Sequence, residues 1–349
     1  MIKKYIFILI SIIAIFINTP FILVNTIIYS AAIIPVAILL GDLTSIMSQY
    51  IGEKRGGLLA ATIGNFPELM MGIWSISFGM VPMVKSALVG SIISNMLLVL
   101  GISIFCGGIK HKEQRFNKIV ARTNFNMLLL AMSAMLVMAS IDSYSNLPGK
   151  TMFTISIKVS IVLIGVYILG LIFSLYTHNN LFIISEEIEE KGNKKDNKTK
   201  NIVIIKIVVE SILLFIISEK LIFSINELVN KYSLSQQFIG IMLIPILGNM
   251  GENVSAIICA VKNKINMSLE IAIGSSIQIS LFVTPILIIF SYFMGVQMNF
   301  VFSHFQIMMS AIAIAMSFFV FQDGKTYWFE GAILLAIYTM ITMGYYYLA

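Results

Sequence analysis

Residues 60–101 read AATIGNFPELMMGIWSISFGMVPMVKSALVGSIISNMLLVLG, and residues 244–287 read IPILGNMGENVSAIICAVKNKINMSLEIAIGSSIQISLFVTPIL. Both stretches are apolar enough for a bilayer, yet both carry one short polar pattern. Gly64-Asn65-x-x-Glu68 returns as Gly248-Asn249-x-x-Glu252, and the same offset of 184 residues lays Gly90-Ser91 on Gly274-Ser275 without a gap. Ten positions are identical between 63–101 and 247–285. Five are aliphatic or Met matches that any two apolar helices share. The other five are Gly, Asn, Glu, Gly and Ser, which hydrocarbon-facing helices have no reason to share. An acid at the bilayer centre costs at least about 2.5 kcal/mol unless it is partnered or hydrated. Two acids at equivalent repeat positions therefore point to one shared binding site. Carboxylates make that a site for a cation.

Composition agrees with a membrane solvent. The chain is 58% hydrophobic and 11% charged, with a mean hydropathy of +0.94, whereas soluble domains carry roughly 25% charged residues. The net charge of +6 lies mostly in loops, so it reads as a topology signal rather than as a nucleic-acid surface. Cys106 and Cys259 both fall in apolar segments and read as packing residues. The N-terminus, MIKKYIFILISIIAIFINTP, has the basic start and apolar run of a signal peptide without a small-x-small cleavage site, so a retained helix is expected.

About 20 apolar residues are needed per span, which predicts eleven spans, near 5–20, 22–40, 57–79, 82–107, 122–142, 152–176, 202–228, 234–261, 268–294, 300–320 and 327–348. The fold expected is an all-α polytopic membrane protein. With the N-terminus in the cytoplasm, 18 of the 23 basic residues fall inside and only Lys85, Lys150 and Lys231 fall in outside loops. That bias supports the count and orientation by the positive-inside rule, with the C-terminus extracytoplasmic. Spans 2–6 and 7–11 then form two five-helix repeats, and an odd number of spans per repeat inverts one against the other. The expected organisation is an extra N-terminal helix (1–20), a first repeat (21–176), an acidic then basic cytoplasmic linker (177–201) and a second repeat (202–349). In the linker, Glu186, Glu187, Glu189 and Glu190 precede a block of lysines, the composition of a solvated connection.

Asn and Glu three residues apart share one face of a helix, so Asn65 with Glu68 and Asn249 with Glu252 read as paired ligands. Gly64 and Gly248 precede them and allow close approach. Ser91, Ser94 and Asn95 in span 4, and Ser275 and Gln278 in span 9, supply neutral oxygens and amides for a supporting shell. Ca2+ takes about six to eight oxygen ligands. His111, His178 and His304 fall in or near loops, so a soft-metal or tetrahedral zinc site is disfavoured. Pro67 and Pro245 are expected to kink spans 3 and 8 and free carbonyl oxygens. Span 7 adds Glu210 and Glu219. Glu219 reads either as a proton relay or as a local partner of Lys220, and Glu270 reads as interfacial. A purely structural use of the Asn and Glu pairs is the competing interpretation, against which the in-register duplication weighs.

These motifs resemble those of the Ca2+/H+ antiporter (CAX) family of the Ca2+/cation antiporter superfamily. The likeness runs from about residue 30 to the C-terminus. It rests on the two quoted stretches, on KHKEQRFNKIVARTN at 110–124 and on SEKL at 218–221. The resemblance implies ten core helices in two inverted halves and exchange of cytoplasmic Ca2+ for protons across a membrane, here the bacterial plasma membrane. It implies that Glu68 and Glu252 bind the cation, that Asn65 and Asn249 support them, and that Gln278 is the polar position after the second Gly-Ser. Ca2+ or Mn2+ would be cargo, and no resident cofactor is expected. Pro67-Glu68 resembles the Pro-Glu of sodium-coupled relatives, which makes Na+-coupled divalent-cation exchange the alternative. A passive channel fits less well, since one duplicated chain offers no multi-subunit filter. No Walker A, His-Glu-x-x-His or Gly-x-Ser-x-Gly pattern is present for an enzyme.

Overall fold

The computed structural model describes residues 9, 11–51, 59, 62–145, 147–178 and 197–348, and these are mostly helical. In chain order they form α1 (Ile22–Ile51), α2 (Phe66–Ser77), α3 (Val81–His111), α4 (Lys118–Tyr144), α5 (Gly149–Thr177) and α6 (Asn197–Tyr232). There follow α7 (Gln236–Gly248), α8 (Met250–Val261), α9 (Ile265–Phe293), α10 (His304–Val320) and α11 (Trp328–Leu348). Two-residue strands, β1 (Gln114–Arg115) and β2 (Lys325–Thr326), pair antiparallel.

Among the described residues seven helices are long and apolar enough to cross a membrane, and α7 with α8, bent by 63°, would make an eighth. The expected span at 57–79 is a shorter helix, because the chain turns at Gly64-Asn65 and α2 starts only at Phe66. The expected span at 300–320 starts at His304, where Ser303 and Gln306 form a reciprocal cap. In the expected first span residues 11–16 are helical, while 1–8 and 10 lie outside the described residues, as does most of the expected linker. The prolines do not mark the breaks. Pro67 sits at the second position of α2, where its missing N–H costs nothing. Pro245 lies inside α7, and the chain turns four residues later, at Asn249.

Contacts divide the chain into two compact units: Met1–Trp74 with Gly170–Leu234 and Leu247–Gly251, and Ser75–Leu169 with Ser235–Ile246 and Glu252–Ala349. In the first, α1 and α6 pack along their lengths. The buried stripe of α1 runs Tyr29, Ile33, Val36, Leu40, Leu43, Met47, with the three-and-four spacing of a coiled-coil seam. Thr26 and Ser224 hydroxyls meet at 2.6 Å near one end of the pair, and Leu43 and Met47 pack with Val203 and Ile207 near the other. The helices are therefore antiparallel. Trp74 of α2 donates its indole N–H to the Phe215 carbonyl of α6 at 3.1 Å.

In the second unit small residues let helices approach closely, as at packed helix contacts in membranes. A Cβ on Gly90 of α3 would meet the Ile241 carbonyl oxygen at 2.6 Å, and one on Gly240 would meet that of Met83 at 2.4 Å. The connections 112–117, 262–264 and 321–327 gather at one end. Gln114 Nε2 donates to the Ala260 carbonyl at 2.8 Å, His111 Nε2 lies 2.9 Å from the Val261 carbonyl, and β1 pairs with β2. There, hydrogen bonds from Arg115 and then Tyr327 hold the Glu113 carboxyl below the usual carboxylate range. Lys85, near the start of α3, reaches Asn299 and Val301, beyond the end of α9. Helices α3 and α9 consequently run in opposite directions.

Both of these helices contain a wide-turn π segment, Ser94–Val99 in α3 and Ile279–Val283 in α9. The 184-residue offset that aligns the motifs carries Val99 onto Val283, so the two segments are in register. Hydroxyls bond to carbonyls within these turns: Ser317 donates to Met96 O at 2.7 Å, and Thr284 to Ile279 O at 2.7 Å.

Candidate cation-binding site

Both Gly-Asn-x-x-Glu motifs lie where a helix begins again after a turn. Gly64 and Asn65 form a turn, and the Asn65 carbonyl accepts the Leu69 N–H at 3.1 Å as the first bond of α2. Asn65 is thus the residue that caps the helix, and Glu68 is its third helical residue. Asn249 forms the turn between α7 and α8, and Glu252 is the third residue of α8. A helix start leaves backbone N–H groups free and carries partial positive charge, so it suits a carboxylate. Asn-x-x-Glu is also the spacing of a capping box. Sequence reasoning took the motif as a stripe on a continuous helix and missed this signal, which Asn, Glu and the intervening Pro67 together offered.

In the first unit the structure gathers Asn65, Glu68, Gly248 and Asn249. Asn65, Glu68 and Asn249 are all buried. The Glu68 carboxyl lies against Gly248, where a Cβ would stand 2.5 Å from Oε1 and 2.7 Å from Cδ. The glycine of one motif makes room for the acid of the other. Gly251 backs onto α1, with Ile38 Cα 3.4 Å from where its Cβ would be.

In the second unit Glu252 accepts a hydrogen bond from the Ser275 hydroxyl, while its Oε2 is buried without a hydrogen bond from the described residues. This joins the second motif to the second Gly-Ser pair. Ser91, Ser94, Asn95 and Ser275 are buried, and Gln278 is half-buried. Ser94 opens the π segment of α3 and Gln278 directly precedes that of α9. Such segments concentrate at functional sites because they redirect side chains and backbone. The Asn95 amide nitrogen is buried and has no hydrogen-bond partner among the described residues. Glu219 is half-buried on α6 in the first unit, beside Lys220, whose Nζ stands 6.0 Å from the Tyr29 ring centre.

Two stretches of the chain, 21–176 and 202–347, match the sodium/calcium exchanger protein family. A Ca2+/H+ antiporter of Aphanothece halophytica is 37% identical over 91% of this chain and 88% of its own length. The Ca2+/H+ antiporter ChaA of Bacillus subtilis is 34% identical over 91% of each chain. The native structure of YfkE superposes with a TM-score of 0.82 at 31% identity, covering 98% of both chains.

Proposed function

This chain belongs to the sodium/calcium exchanger protein family, and from that membership we propose that it exchanges cytoplasmic Ca2+ for protons, with Glu68 and Glu252 as ligands of one shared cation. It is a multi-pass membrane transporter and not an enzyme. Relatives named as Ca2+/H+ antiporters, at 32–37% identity over nine-tenths of the chain, support the reaction.

The observation that carries the two-glutamate site is the repetition of one local design. Each motif breaks the chain, caps a new helix with Asn and places Glu as its third residue. Equivalent positions in a duplicated transporter serve one midplane site. Two carboxylates carry two negative charges, and one Ca2+ or two protons neutralise them equally. Competition between these occupants is the coupling. Asn65, Asn249, Gly64 and Gly248 complete the immediate ligands. Ser91, Ser94, Asn95, Ser275 and Gln278 form the polar surroundings, and Glu219 passes protons toward them.

Two inverted five-helix repeats behind an extra N-terminal helix are supported by the opposed directions of α3 and α9 and by the register of their π segments. The N-terminus and the ends carrying Lys110–Lys118, Lys262, Lys264 and Lys325 are cytoplasmic, the C-terminus is extracytoplasmic, and the membrane is the bacterial plasma membrane. Mn2+ is a second cargo by the same hard-oxygen chemistry. Sodium coupling is the second reading, favoured by Pro67-Glu68 alone.

Calorimetric titration of the purified chain tests the shared site. One Ca2+ should bind per chain with release of protons, and Glu68→Gln and Glu252→Gln should each remove that binding. Two independent Ca2+ ions per chain, or wild-type affinity in either variant, would refute a shared site.

A further inference from the structure

Tyr338 stands at the middle of α11, ten residues from either end. Tyrosine and tryptophan usually mark the two membrane interfaces, and Trp328, Tyr346 and Tyr347 at the ends of the same helix fit that rule. Tyr338 does not. A hydroxyl at that depth is a cost unless it finds a partner, and phenylalanine would supply the same ring without it.

Helix packing decides what this hydroxyl meets. Trp328 packs on Gly108, and further along a Cβ on Gly331 would stand 2.6 Å from the Gly101 carbonyl oxygen. α11 and α3 are therefore antiparallel and close. Seven residues on in α11 and seven back in α3, Tyr338 faces Ser94. Its hydroxyl stands beside those of Ser94 and Thr342, and 3.8 Å from the Met242 sulfur of α7, a weak acceptor.

Ser94 is not used as helical serines usually are. Ser156, Ser276 and Ser310, equally buried, each donate to the carbonyl four residues earlier. Ser94 Oγ is buried with no hydrogen bond of ordinary geometry among the described residues. It opens the π segment of α3, directly before Asn95. A hydroxyl not tied to its own helix can turn toward a ligand, and a neighbouring group must fix its direction. Tyr167 of α5 is the contrast. Its ring lies 5.2 Å from that of Phe282 in the π segment of α9, but its hydroxyl is buried with no hydrogen-bond partner among the described residues.

We propose that Tyr338 is a positioning residue for cation binding, whose hydroxyl fixes the direction of the Ser94 hydroxyl. The inference rests on Ser94 belonging to the polar surroundings of the cation. It brings to the site a helix, α11, that carries none of the motif residues.

Initial rates of Ca2+ uptake into proteoliposomes, measured against Ca2+ concentration, test this. Tyr338→Phe keeps the ring and removes the hydroxyl. It should raise KM for Ca2+ about fivefold, the worth of one neutral hydrogen bond, with maximal rate and melting temperature unchanged. Lost packing alone would lower the amount of active protein, and so the maximal rate, without moving KM. Ser94→Ala should raise KM at least as much, and the double variant should be no worse than Ser94→Ala, because groups that act through one another are not additive. Tyr167→Phe should match wild type. A wild-type KM in Tyr338→Phe, independent effects that multiply in the double variant, or an equal rise in Tyr167→Phe would overturn the inference. If Ser94→Ala raises KM while Tyr338→Phe does not, the inference alone falls. If neither does, Ser94 loses its place around the cation as well.

Discussion

Glu68→Gln and Glu252→Gln, made separately, are expected to abolish Ca2+ uptake while leaving the protein folded in the membrane. Glutamine keeps the volume and one acceptor oxygen but loses the charge and the exchangeable proton. Removing one member of a buried charge pair costs roughly 3–5 kcal/mol, a loss of more than about 100-fold in affinity. Folding should survive, because the neutral side chain is easier to bury than the charged one. Transport by reconstituted protein, alongside its elution as a single species in detergent, separates the two effects. Wild-type uptake by either variant would remove that carboxylate from the ligand set.

Gly248→Ala should be nearly as damaging for a different reason. The new methyl would lie 2.5 Å from Glu68 Oε1 and 2.7 Å from its Cδ, well inside van der Waals contact. The carboxyl is the far end of a flexible side chain, so it can swing aside at little cost to stability. A ligand displaced by about 1 Å can nonetheless cost on the order of 100-fold in function. Gly251→Ala, three residues on, is the matched control. Its methyl would meet Ile38 Cα at 3.4 Å, an ordinary contact. Ca2+ uptake by Gly248→Ala should fall steeply with an unchanged melting temperature, and Gly251→Ala should resemble wild type. Equal behaviour of the two alanine variants would show that contact with Gly248 does not position Glu68.

How far this was legible in the sequence depended on the scale of the signal. Apolar runs of about 20 residues and the paired motifs are properties of long windows, and they survive local irregularity. Residues 57–79 illustrate the limit: the window is apolar throughout, yet the chain turns at Gly64-Asn65 and starts a helix at Phe66. Hydropathy does not register a turn made by two residues. Attention to Pro67 as a helix breaker misplaced the irregularity, because a proline in a first turn is compatible with a helix. The three-and-four stripe from Val203 to Leu221 was readable but hidden in a segment that is apolar on every side. The π segments have no local signature in Ser94–Val99 or Ile279–Val283, whose residues are as apolar as those of the regular turns around them.

The most direct measurement is Ca2+ flux in sodium-free proteoliposomes under an imposed pH gradient. An exchanger of Ca2+ for protons should drive Ca2+ against its own concentration gradient, toward the side from which protons leave. Reversing the pH gradient should reverse the flux. Glu68→Gln and Glu252→Gln vesicles should show neither movement. Ca2+ flux that ignores the pH gradient and follows an imposed Na+ gradient would contradict proton exchange and establish sodium coupling in its place.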